Sequence, residues 1–197
     1  MLERRSALAT VKPYASSILQ MGEARGFSLT QAAGRGKGFE KAITPITGKL
    51  PPKIGIAVES NGRTIMRLGP EQFWFVGPEE DEDFGARLGI LCAVTPLSHS
   101  RTRIFIEGEP SRAVLAKGIP LDFHPSIFKP GMFAMTGLHH TPVLVHYVTE
   151  NRFQVYAMRT FAVSIWDWLT DAALEFADSP SPLAGEGGSR PLGPRDE

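Results

Sequence analysis

Residues 54–68 read IGIAVESNGRTIMRL, and residues 73–76 read FWFV. Two runs of strand-forming residues flank Asn61-Gly62. A type I′ turn needs positive φ at both central positions, and Asn followed by Gly adopts that most readily. The stretch therefore reads as a β-hairpin with strands over 54–59 and 64–68. Phe73-Trp74-Phe75-Val76 has no polar face, so it reads as a third strand covered on both sides. Three strands in such quick succession imply antiparallel sheet.

Working outward, Phe27-Ser28-Leu29-Thr30-Gln31 alternates apolar and polar, as a half-buried strand does. Residues 33–53 show no sustained period and contain Gly34-Arg35-Gly36-Lys37-Gly38, Pro45, Pro51 and Pro52. Arg35, Lys37, Lys41, Lys49 and Lys53 stand there against Glu40, so the segment reads as a mobile basic loop able to settle against a partner. Pro78 opens a helix reaching about Leu91, with Glu79–Asp83 at its N-terminus, where negative charge is favourable. Residues 102–107 alternate as a strand, and 109–118 form a short helix. Residues 132–138 and 143–148 are strands joined through His139-His140-Thr141-Pro142, and 153–158 is the last strand. A helix capped by Thr160 runs from Phe161 to about Phe176.

Hairpins outnumber crossovers, which predicts an α+β fold of mostly antiparallel sheets with helices packed on them. The predicted organisation is an N-terminal extension (1–26), one domain (27–178) with halves at about 27–92 and 93–178, and a tail (179–197). The tail is rich in Pro, Gly and Ser and has no aromatic residue, so it is expected to be disordered.

Composition narrows the function. The chain has 197 residues, 42% of them hydrophobic, with 21 basic and 21 acidic side chains and no formal net charge. Nucleic-acid binders draw affinity from a basic excess that is missing here. The N-terminus lacks the apolar stretch of a secretory signal, and no run approaches the roughly 18 apolar residues of a membrane span. A single cysteine, Cys92, follows an apolar run and reads as core, in a chain expected in the reducing cytoplasm.

No motif supplies chemistry. The 34–38 stretch departs from the phosphate-loop spacing, since Gly38 follows Lys37 and no helix pattern begins directly behind it. Residues 79–83 are consecutive on a helix and cannot converge on one ion. Adjacent His139 and His140 would face opposite sides of a strand, so only one could join a site with His146. Ser98-His99 lacks the nucleophile-elbow context. The expected inventory is therefore no catalytic, cofactor-binding or metal-binding residue.

The closing helix is the informative exception. Phe161, Ile165, Trp168, Leu169, Ala172 and Phe176 form one stripe at 100° per residue, which predicts the core face. Val163, Trp166, Thr170 and Leu174 form a second arc. Either the rest of the domain covers that arc, or another subunit does, since Trp anchors are enriched at interfaces. The candidate interface is Val163, Trp166, Thr170 and Leu174, together with Arg35 and Lys37 of the basic loop.

Several stretches in order carry a family resemblance. They are residues 67–75 (RLGPEQFWF), 97–101 (LSHSR), 108–118 (GEPSRAVLAKG), 120–125 (PLDFHP), 153–156 (FQVY) and 165–169 (IWDWL). Together they resemble the gamma subunit of heterotetrameric sarcosine oxidase. The resemblance spans roughly residues 1–176 and implies a folate-binding aminomethyltransferase-like domain in two similar halves. It further implies a structural subunit in a complex that oxidatively demethylates sarcosine and passes the one-carbon unit to tetrahydrofolate. Alpha, beta and delta subunits would be the partners, and FAD, FMN, NAD, tetrahydrofolate and zinc would reside there. The same resemblance admits a gamma-type subunit of an N-methylglutamate dehydrogenase complex, or a free-standing folate-binding protein.

Overall fold

The computed structural model describes residues 5–34, 36, 38–79 and 82–178. Arg35, Lys37 and the predicted disordered tail (179–197) lie outside the described residues. In chain order the strands are β1 (Tyr14–Ala15), β2 (Leu19–Glu23) and β3 (Phe27–Ala33), then α1 (Phe39–Thr47). Next come β4 (Ala57–Ser60), β5 (Arg63–Gly69), β6 (Gln72–Pro78), α2 (Glu82–Gly89) and β7 (Ala93–Pro96). The second half holds β8 (Arg101–Gly108), α3 (Ser111–Ala116), β9 (Phe133–Leu138), β10 (Thr141–Thr149), β11 (Arg152–Met158) and α4 (Ala162–Ala173).

Two antiparallel sheets result. One has six strands in the order β1-β2-β8-β11-β10-β9, the other five in the order β4-β5-β6-β3-β7. An Ile56–Met132 bridge ties the two at one corner. Strand alternation sorts side chains into three apolar layers. Ile104, Ile106, Val143, Val145, Val155 and Phe153 face α3, α4 and the N-terminal segment. Phe27, Leu29, Trp74, Leu144 and Tyr156 meet between the sheets. Phe73, Phe75 and Ile65 face Phe39 and Ile43 of α1 and Phe84 and Leu88 of α2. The architecture is helices, sheet, sheet, helices.

The Asn61-Gly62 hairpin forms as expected, with φ of 50° and 71°. Other expectations need correction. Residues 33–53 are not one long loop: α1 occupies 39–47, and a helix does start directly behind Gly38. Phe39, Ile43 and Thr47, spaced i, i+4, i+8, are all buried, and that packing outweighs the backbone hydrogen bond Pro45 cannot donate. Pro78 ends β6, paired with Phe27, and α2 begins only at Glu82. Thr160 does not cap the last helix. A 3-10 turn over Arg159–Phe161 leads into it, and Phe161 holds the N-cap position without a side-chain hydrogen bond.

The structure also redistributes the predicted segments. Residues 14–23, read as part of an extension, contribute β1 and β2 to the six-stranded sheet. Strand β7, assigned by sequence to the second half, pairs with β3 of the first.

Candidate functional site

The closing helix buries Ala162, Ile165, Trp166, Leu169, Ala172 and Ala173. This face lies one step round from the predicted stripe: Trp166 belongs to it, while Trp168 is only half-buried. Trp166 is 4% exposed and is thereby removed from the candidate interface. The reason is the N-terminal segment, whose Leu8 joins the same buried cluster as Trp166, with Val11 packed against that cluster.

The rest of the second arc stays open. Val163 is 47% and Leu174 63% exposed, and Thr170 lies between them, its hydroxyl donating to the carbonyls of Trp166 (3.1 Å) and Asp167 (2.9 Å). The helix is anchored firmly beneath this face. Lys117 Nζ donates to the Ala172 carbonyl (2.5 Å) and pairs with Glu175, and Tyr14 OH donates to the Ala173 carbonyl (2.9 Å). These donors satisfy carbonyls that a helix end leaves unpaired. What remains is a rigid helix presenting Val163, Thr170 and Leu174 outward.

The second candidate region is the space between the sheets. Strand β8 puts Ile104 and Ile106 on its helix side, so Arg103 falls on the inter-sheet side. There the Arg103 guanidinium sits 4.3 Å from the Phe27 ring centre, and its Nε donates to the Ala24 carbonyl (3.4 Å). Tyr156 OH donates to Gln154 Oε1 (2.7 Å), and burial pushes the phenol up to about 12 despite the nearby Arg103 charge. His146 is 3% exposed, its Nδ1 lacks a hydrogen-bond partner, and burial together with Arg103 lowers its pKa to about 4. Near neutral pH the layer therefore holds a neutral imidazole and a protonated phenol. Neither has a pKa matched to proton transfer at that pH.

Histidines 139, 140 and 146 do not converge. His139 stacks edge-on against Trp168 at 5.3 Å on the helix side of the sheet, His146 faces the other side, and His140 is exposed. Ser98 pins β3, accepting from the Leu29 N–H (2.9 Å), while His99 points to solvent-exposed surface. Cys92 is half-buried rather than core, and desolvation raises its pKa, away from thiolate character. At the start of α1, Glu40 forms an ion pair with Arg67, which places negative charge where a phosphate would bind. Among the described residues, no group of three or more His, Cys, Asp or Glu side chains could hold a metal ion. No described helix is long and apolar enough to cross a membrane.

Arg101, Arg103 and Arg159 belong to no chemical motif in the sequence. A signal existed for the first two: Arg101, Arg103 and Phe105 alternate with Thr102, Ile104 and Ile106, so a basic face is legible in period two.

Paired antiparallel sheets flanked by helices define a known class. The chain superimposes on glycine cleavage system aminomethyltransferase T from Bartonella henselae with a TM-score of 0.60 at 17% identity, over 78% of this chain and 46% of that one. The fold is that of an aminomethyltransferase-like domain. A TM-score of 0.80 at 24% identity relates it to a chain of the heterotetrameric sarcosine oxidase from Corynebacterium sp. U-96, covering 90% of this chain and 98% of that one. Sarcosine oxidase subunit gamma from Corynebacterium sp. (strain P-1) is 30% identical over 148 residues, 73% of each chain. The corresponding subunit from Arthrobacter sp. is 31% identical over 133 residues, 65% of this chain and 66% of that one. A sequence model of the sarcosine oxidase, gamma subunit family matches residues 46–175. The chain belongs to that family.

Proposed function

We propose that this chain is the gamma subunit of a heterotetrameric sarcosine oxidase and acts in the cytoplasm as a structural subunit with no catalytic residue of its own. The observation that carries the reading is family membership over residues 46–175, with relatives named sarcosine oxidase subunit gamma. Two features of the site agree with it. The outer face of α4 leaves Val163 and Leu174 exposed on a well-anchored helix, as a docking surface requires. Between the sheets, His146 and Tyr156 hold their protons or lone pairs too tightly for acid–base work near neutral pH.

In this reading the alpha, beta and delta subunits complete the assembly and carry FAD, FMN, NAD, tetrahydrofolate and zinc. The complex oxidises sarcosine to glycine and passes the one-carbon unit to tetrahydrofolate. This chain braces the assembly, with Val163, Thr170 and Leu174 at an interface. Arg35 and Lys37 are proposed to join it. The test is reconstitution: sarcosine oxidation assayed with and without this chain, and folate binding assayed on the chain alone. Activity that collapses or loses stability without the chain, with no folate bound by the lone chain, is the expected result. Folate binding by the lone chain would favour a free-standing folate protein instead.

A further inference from the structure

Strands β8 and β11 run antiparallel with Arg101 opposite Met158. The chain then turns at Arg159, whose N–H donates to the Ser100 carbonyl (2.9 Å). Two arginines thus leave neighbouring strand ends side by side, and both line one cleft of 190 Å³. The hydrogen bonds they make go to neutral groups. Arg101 Nη1 reaches the Ser100 carbonyl (3.3 Å) and hydroxyl (3.2 Å), and its guanidinium lies 5.8 Å from the Trp74 ring centre. Arg159 Nη2 donates to the Arg5 carbonyl.

The other charged groups on the cleft wall are Arg5, Arg25, Glu23 and Glu79. Glu23 is committed elsewhere: Arg25 Nε holds one of its oxygens at 2.6 Å and the Ser6 hydroxyl donates to the other. Glu79 lines the rim beside Gly26. Burial lowers the Arg101 pKa, so its charge is partly desolvated. Both arginines border the same cleft, so an anion held there is attracted by each charge. Their planar forks match carboxylate and phosphate oxygens. The volume suits a small ligand rather than one of the drug-sized molecules that fill larger pockets.

We propose that the cleft bounded by Arg101 and Arg159 is a binding site for a small oxyanion, a phosphate or a dicarboxylate. The site goes beyond the subunit role and does not depend on it. Calorimetric titration of the full chain with sodium phosphate, and separately with sodium succinate, tests it against sodium chloride at equal ionic strength. Saturable binding of either anion is expected, and which of the two binds identifies the ligand class. Arg159→Gln weakens it by about tenfold or more, the loss typical of a charge-assisted hydrogen bond. Arg101→Gln does the same. If that variant fails to fold, Arg159→Gln still decides, because the backbone bond to Ser100 is untouched. Arg152→Gln, at the far end of the same strands, leaves binding unchanged. Binding of neither anion above chloride, or binding that survives both substitutions, overturns the proposal. So does arginine protection from phenylglyoxal found only in the assembled complex, which would make the cleft a contact between subunits.

Discussion

A Cβ placed on Gly118 would stand 2.3 Å from Cζ2 of Trp168, so the end of α3 and the middle of α4 meet only because residue 118 has no side chain. His139 completes the contact, its N–H donating to the Gly118 carbonyl (3.2 Å) while its ring packs on the indole. Gly118→Ala is expected to destabilise the chain by about 1–3 kcal/mol through overpacking. Trp168→Leu in the same background should recover part of that loss. A urea double-mutant cycle measures the coupling, and strictly additive effects would deny the close approach.

Trp166 and Leu174 sit on one helix but should behave in opposite ways. Trp166 is buried under the N-terminal segment, so Trp166→Ala should cost about 3–5 kcal/mol. Leu174 is 63% exposed, so Leu174→Glu should change the stability of the lone chain by no more than about 0.5 kcal/mol. Thermal melts of the two variants make the comparison directly.

His146 predicts an acid limb of stability. Its folded pKa of about 4 lies below the ordinary histidine value of 6.5, because burial and Arg103 disfavour the cation. Between those values the unfolded chain binds more protons than the folded one. Stability is therefore fully present above the unfolded pKa and falls as pH drops towards the folded one. The displacement corresponds to roughly 3 kcal/mol at 1.36 kcal/mol per unit. His146→Leu should flatten the urea midpoint between pH 7 and pH 4. An unchanged slope would show that His146 is not the responsible group.

Gly62 occupies the second central position of the hairpin turn at φ 71° with open space around a would-be Cβ. Gly62→Ala should therefore cost about 1–2 kcal/mol from the left-handed backbone alone. Denaturation of this variant isolates the turn from packing effects, and no loss of stability would mean that the turn relaxes to another type.

Local rules carried much of the fold. Asn61-Gly62 specified its turn chemically, and the alternation of Ile104 and Ile106 gave β8 its apolar face. Long-range packing was not legible. Phe39, Ile43 and Thr47 make α1 a helix only because a sheet waits to receive them, and Pro45 hid the pattern. Trp166 looked like an interface anchor because nothing local reveals that Leu8, more than 150 residues earlier, folds against it. Helical period put Val163 and Leu174 on the outer arc, where both are exposed, but it put Trp166 there too, so period alone does not tell a covered face from an open one. Arg101 and Arg159 belong together only through strand register, which no single-sequence pattern reports.

Tagged purification of the full chain from its native cell asks whether this chain works as a bound subunit. Stoichiometric recovery of flavin-bearing partner subunits is expected, with Val163→Glu plus Leu174→Glu reducing that recovery by about tenfold or more while the chain stays folded. Recovery of the wild-type chain alone as a folded monomer would contradict it.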